Sequence, residues 1–209
     1  MAQRLERTPV PGRRKAEVLG LAAELFARDG YASTTVRDIA DAAGILSGSL
    51  YHHFPSKEAI ADAIISPLLS EVLTSYEAIV AAGGPPREAF EALANASLMA
   101  LERHRAAAVV YEQDRRQLAA LPRLAHLADA ERTIERAWTT VLERGIADGE
   151  FRGGLDARIA YHLIRETIFS VARWHVPGEQ PDLERISDQY LRILLDGVVR
   201  AKRKKERRD

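Results

Sequence analysis

The 209-residue chain contains no cysteine. That excludes a disulfide framework, a thiolate zinc site and a cysteine nucleophile. No uncharged run reaches 18 residues, so no membrane span and no membrane partner are expected. The first fifteen residues, MAQRLERTPVPGRRK, are charged and are followed by none of the apolar stretch that a secretion signal needs. A cytoplasmic protein is the expectation. Alternating β-branched runs long enough for a strand are missing, as are internal repeats. So are a glycine-rich phosphate loop, a GxSxG turn and a paired-carboxylate arrangement. His52 and His53 are adjacent and point to different sides of a helix, so they make no i, i+4 zinc pair. No metal, no resident cofactor and no enzymatic activity are expected.

Net charge is absent too, with 30 basic groups against 30 acidic ones, but it is unevenly spread. Arg4, Arg7, Arg13, Arg14 and Lys15 face only Glu6 at the N-terminus, and residues 200–209 hold seven basic groups against Glu206 and Asp209. Basic ends on an acidic body suit a polyanion partner or solvated tails. Hydrophobic residues make up 46%, which excludes wholesale disorder, and the length allows a substantial core.

What is present is helical. Alanine occurs 34 times, and Leu, Glu and Arg are frequent. Apolar residues recur at three and four: Val18, Ala22, Leu25, Phe26; Ile60, Ile64, Leu68, Val72, Tyr76; Ile134, Trp138, Val141, Leu142; Ile186, Tyr190, Ile193, Leu194. Gly30, Gly44, Pro55, Gly83 to Pro86, Pro122, Gly153-Gly154 and Pro177 to Pro181 break these stripes. The spacing predicts an all-α fold with nine helices, near 13–29, 36–43, 47–53, 57–81, 86–103, 105–118, 122–148, 155–175 and 182–202.

Residues 33–58 carry the sharpest signal. Thr35 with Asp38 is a capping-box pattern, and Val36, Ile39, Ala40 and Ala43 give a short helix its apolar face. Gly44 follows its last turn. Ser47 is expected to cap the next helix, which Leu50 and Phe54 anchor inward and Pro55 ends. Ser56 caps the helix after that. Helix, glycine turn and helix with such inward residues make a helix-turn-helix, whose second helix enters the DNA major groove. Its outward residues are Ser47, Gly48, Ser49, Tyr51, His52 and His53. Thr35 and Lys57, each at a helix start, suit phosphate, and Arg37 is a further candidate for base or backbone.

Thr34-Thr35-Val36-Arg37-Asp38-Ile39-Ala40 through Leu50-Tyr51-His52-His53-Phe54-Pro55-Ser56-Lys57-Glu58 resembles the DNA-binding signature of the TetR family of bacterial repressors. The resemblance implies a homodimer on a palindromic operator, released by a small-molecule effector. It implies residues 1–56 as the DNA-binding domain, 57–202 as the effector-binding and dimerisation domain, and 203–209 as a basic tail. Within the family, Gly44 to Phe54, Ile164-Arg165-Glu166-Thr167 and Val171-Ala172-Arg173-Trp174 are similar to a subgroup that represses actinobacterial cholesterol catabolism. That subgroup responds to a coenzyme A thioester of the late steroid rings, which implies an acyl-CoA effector met by Arg165 and position 169. Phe169 and His175 depart from the subgroup's pattern, so the operator can be shared while the ligand differs. An unrelated hydrophobic molecule or drug is the alternative effector.

The body of the chain leaves alternatives open. Arg165, among the apolar residues Leu163, Ile164, Ile168 and Val171, grips a ligand anion or pairs with Glu166 or another carboxylate. Phe169, Trp174, Tyr111 and Trp138 are pocket walls or core. Arg115, with Arg103, Arg105 and Arg116, is a basic mouth for CoA phosphates or a solvated face. Leu183, Ile186, Tyr190, Ile193 and Leu194 form a dimer face or intrachain core; two reading heads one DNA turn apart favour the dimer. Pro67 interrupts the helix that joins the two domains and offers a bend through which a ligand shifts the reading heads.

Overall fold

The computed structural model describes residues 11–176 and 178–198; the N-terminal arm to residue 10, the last residues of the final predicted helix and the basic tail lie outside the described residues. Among the described residues there are nine α-helices: α1 (Pro11–Asp29), α2 (Val36–Ala42), α3 (Ser47–His53), α4 (Lys57–Ala82), α5 (Pro86–Arg103), α6 (Arg105–Ala119), α7 (His126–Ala147), α8 (Ala157–Trp174) and α9 (Leu183–Val198). The all-α expectation holds. One boundary moves: Pro122–Leu124 forms a separate 3-10 turn before α7, because Pro122 has no N–H to give a longer helix and Leu124 turns inward to full burial.

The chain divides into two compact units. The first comprises residues 1–67 and 106–127, the second residues 68–105 and 128–209. The first division follows Pro67, inside α4. The Pro67 ring removes one i→i−4 hydrogen bond from a helix that otherwise runs unbroken for 26 residues. By length and composition alone α4 would pass for a membrane span, yet Ile60, Ile65, Leu68 and Leu69 are buried within the protein.

In the first unit α2 packs on α1 and on α3. Val18, Ala22 and Phe26 of α1, Ile39 and Ala40 of α2, Leu50 of α3 and Ile60 of α4 are all fully buried. α6 belongs here and buries Ala108, Val110, Tyr111 and Leu118. The Tyr31 amide donates to Asp114 of α6 at 2.8 Å, and the Tyr31 ring lies 5.3 Å from Phe26.

In the second unit α5 packs against α8 and α9. Its centre is aromatic: Trp138 meets Phe90 edge-on at 5.4 Å and Tyr76 at 6.2 Å, and Phe90 meets Phe151 at 5.9 Å. A one-way polar chain crosses this core. The Trp138 indole donates to the Tyr76 hydroxyl at 2.9 Å, Tyr76 lies 2.6 Å from Ser97 Oγ, and Ser97 donates to the Leu93 carbonyl at 2.6 Å. Each buried polar atom in it therefore has a partner. Burial pushes the Tyr76 hydroxyl pKa up.

Candidate nucleic-acid interface

The helix-turn-helix is built from local chemistry. Thr35 is the N-cap of α2, and its Oγ1 accepts from the Asp38 amide at 3.1 Å. Asp38 Oδ2 accepts in return from the Thr35 amide at 2.8 Å and hydroxyl at 2.7 Å. These bonds, led by the one from the Thr35 backbone, hold the Asp38 carboxyl below its ordinary pKa. At the other end of α2, Gly44 adopts φ +64°, a region that glycine enters without the steric cost of a Cβ. There the Gly44 amide reaches the Asp41 carbonyl at 3.1 Å and Ile45 reaches Ala40 at 3.0 Å, the two bonds of a Schellman turn. The turn therefore leads directly into α3.

The start of α3 differs from expectation. Its N-cap is Leu46, with no side-chain capping bond, and Ser47 is the first helical residue rather than the cap. The turn that follows Gly44 sets this register, because the Leu46 carbonyl accepts from Ser49 at 2.9 Å and from Leu50 at 3.2 Å. Leu50 is the buried residue of α3. Gly48, Ser49, Tyr51, His52 and His53 are exposed and Ser47 is half-buried, so the expected reading set stands accessible around the buried Leu50. Thr35 and Arg37 are exposed beside it, with Arg37 loosely paired to Asp41 at 3.7 Å.

Two basic residues near this surface carry structural bonds. Lys57 Nζ donates to the carbonyls of Tyr31 at 2.9 Å, Thr34 at 3.0 Å and Ala32 at 3.4 Å, and sits 4.3 Å from the centre of the Tyr31 ring. All three ammonium donors thus tie the first turn of α4 to the segment that precedes α2. Arg14 of the expected basic arm donates to the Ala43 carbonyl at 2.6 Å, closing the C-terminal end of α2. Tyr31, buried and near Glu58 and Asp114, has its hydroxyl pKa pushed up to about 12, chiefly by burial.

The expected effector residues fall in different places. Trp138 is buried, 2% exposed, with its N–H bonded to Tyr76. Tyr111 and Arg115 lie on α6 in the first unit, with Tyr111 buried. Arg165 is buried, with Nη1 2.7 Å from Glu166 Oε1 and its guanidinium 4.7 Å from the Phe169 ring centre. Trp174, half exposed, lines a cleft of about 580 Å³ between α8 and α9 with Thr167, Val171, Arg185, Ile186, Tyr190 and Ile193. Leu163, expected in the core, points outward. The core stripe of α8 runs through Tyr161, Ile164, Ile168 and Val171, and the residue beside Ile164 is turned about 100° from it. Of the expected dimer set, Ile186 is buried, Leu183, Tyr190 and Leu194 are half-buried, and Ile193 is 72% exposed. Thr167 Oγ1 lies 2.9 Å from the Tyr190 hydroxyl, which donates to the Ile164 carbonyl at 3.0 Å, so Tyr190 also joins α9 to α8.

Residues 18–64 match the family model for bacterial regulatory proteins of the tetR family, and residues 83–198 match that for the tetracyclin repressor-like C-terminal domain. The chain belongs to the TetR family. It is 42% identical over 186 residues to the HTH-type transcriptional repressor KstR2 of Rhodococcus jostii, covering 89% of this chain and 91% of that one. A solved structure of the ketosteroid transcriptional regulator KstR2 of Mycobacterium tuberculosis superposes with a TM-score of 0.84 at 41% identity, covering 92% of this chain and 98% of that one. AibR, solved in complex with isovaleryl coenzyme A and operator DNA, shares the fold at a TM-score of 0.71 and 18% identity over 86% of this chain and 97% of that one. This chain is accordingly a TetR-family transcriptional repressor homologous to KstR2, and not an enzyme. Family members bind operator DNA and small effectors, typically as dimers. Sequence reasoning missed Leu46, the Lys57 clamp and the Tyr31–Asp114 bond. The last two join segments 26 and 83 residues apart, which no local pattern reveals.

Proposed function

We propose that this chain acts as a homodimer on a palindromic operator and leaves it when a coenzyme A thioester of steroid or lipid catabolism binds the second unit. The observation that carries the DNA half is the division of α3: Leu50 anchors the helix, while Gly48, Ser49, Tyr51, His52 and His53 stand exposed. The dimer reading is supported by a second apolar face on the C-terminal helices. Ile159, Leu163 and Trp174 on α8 and Ile193 on α9 are each more than half exposed. Exposed large apolar side chains grouped on two neighbouring helices suit a surface covered by another copy. The effector reading is supported by the KstR2 likeness and by the α8–α9 cleft, whose buried walls Val171 and Ile186 are apolar with Arg185 beside them. Such a lining suits a hydrophobic body joined to an anionic group. A DNA-bound role also fits a cytoplasmic location.

A second reading, an unrelated hydrophobic effector, is favoured by one observation: Arg165 already pairs with Glu166 and stacks on Phe169. A gel-shift assay on the DNA upstream of its own gene tests both. Release by steroid or fatty acyl-CoA thioesters, with no release by the free acids, is expected. Release by free acids or by uncharged hydrophobic drugs instead selects the second reading. Failure to bind that DNA, or any sequence selected from a random pool, removes the repressor assignment's operator half.

A further inference from the structure

Leu46 is the most exposed large hydrophobic side chain among the described residues, at 80%. Among the described residues of the first unit it shares that condition only with Tyr51, and both belong to the turn and helix read above as the DNA-binding face. Its position makes the exposure more expensive. Leu46 is the N-cap of α3, where Ser, Thr, Asp or Asn would satisfy an amide, and no side chain bonds there. The first turn of α3 carries no acidic residue, and Gly48 follows at a helical position where it destabilises relative to alanine. The segment gives up local helix stability in three ways at one spot. A departure from local propensity of that kind marks a functional surface more often than a structural one.

We propose that Leu46 reads a thymine methyl group on the floor of the major groove and so sets the base preference of the operator. The inference rests on the DNA-binding reading of α3. Recognition helices present their N-terminal residues to base edges. An isobutyl group has no donor or acceptor to offer a phosphate or a base edge, and the aliphatic group that the major groove displays is the 5-methyl of thymine. The flanking residues fit close approach: a Cβ added at Gly48 would meet nothing within 4 Å, and Ser49 is small and exposed.

The test begins by selecting a preferred site from random duplex DNA with the full-length protein. Each thymine of that site is then replaced in turn by deoxyuridine, which removes only the methyl, in both half-sites at once. Wild-type protein is expected to lose about fourfold in affinity per half-site at one symmetric position, the effect of one methyl's burial. Leu46→Ser and Leu46→Ala proteins are expected to bind the thymine site more weakly than wild type and to show no further loss at that uridine. Leu46→Ser supplies a capping hydroxyl, so its melting temperature should equal or exceed that of wild type, which separates lost contact from lost fold. If no uridine position distinguishes wild type from the two variants, the proposal is overturned while the operator reading stands. If selection enriches no sequence, both fall.

Discussion

Two glycines on long helices should respond to the same substitution in opposite directions. Gly20 lies within α1, exposed, and a Cβ there would meet nothing within 4 Å. Gly20→Ala should therefore stabilise by about 1 kcal/mol through helix propensity alone. Gly145 lies in the last turns of α7 under the Phe151 ring, where a Cβ would fall 2.8 Å from Cγ and nearer still to two other ring atoms. Phe151 is fully buried and meets Phe90 edge-on, so it has no space into which to retreat. Gly145→Ala should cost about 1–3 kcal/mol by overpacking. Thermal melts read both, at roughly 2–4 °C per kcal/mol for a chain of this size. Lys57 is a third case at this scale. A residue that met only DNA phosphate would leave the free protein's stability unchanged on removal. Lys57→Met should instead lower it by about 1–2 kcal/mol without any DNA present, because three backbone carbonyls lose their donor. Urea titration of the free protein checks this.

Among the elements, the C-terminal end of α5 is held to α4 by charge. Glu71 of α4 accepts from Arg103 at 2.6 Å and lies 2.9 Å from His104 Nε2, at the end of α5. Burial works to raise the Glu71 pKa, but the bonds from His104 and Arg103 outweigh it and hold it below the ordinary 4.5. A carboxyl that is more acidic folded than unfolded stabilises above its unfolded pKa, and that contribution fades as the pH falls through the folded value. Melting temperatures of wild type should therefore drop more steeply below pH 4.5 than those of Glu71→Gln, and the two curves should converge in acid. Legibility in the sequence also differed by element. α2 and its turn were readable because Thr35, Asp38 and Gly44 act on backbone within a few residues of themselves. The cap of α3 is not legible in the sequence, because Ser47 offers a capping hydroxyl while the turn geometry places Leu46 at the cap. α8 was half readable: it is apolar on two sides, through Ile164, Ile168 and Val171 and again through Ile159, Leu163 and Trp174, and periodicity does not say which side its own chain covers. Trp138 is not assignable to core or pocket from the sequence because its partners Tyr76 and Phe90 come from helices distant in sequence.

At the scale of the whole molecule, the uncovered side of α8 and α9 decides whether one chain can act alone. An operator with two half-sites one helical turn apart needs two reading heads on one body. A single chain has one α2–turn–α3 unit, so the second must come from another copy, and the surface that joins them has to be apolar and still uncovered in the protomer. Leu163 and Ile193 meet that requirement at 65% and 72% exposure. A charge introduced at either position meets water in the monomer and would be buried only in the proposed dimer. Leu163→Asp and Ile193→Asp should thus leave helix content and melting of the protomer intact while weakening the dimer by roughly 30-fold or more, the scale of a 2 kcal/mol interface loss. Sedimentation equilibrium reads the mass, and gel shift on the selected operator reads the consequence: both variants should lose the cooperative two-head complex. Variants that remain dimeric would place the contact elsewhere, and dimers that form yet fail to bind would point to altered spacing of the heads.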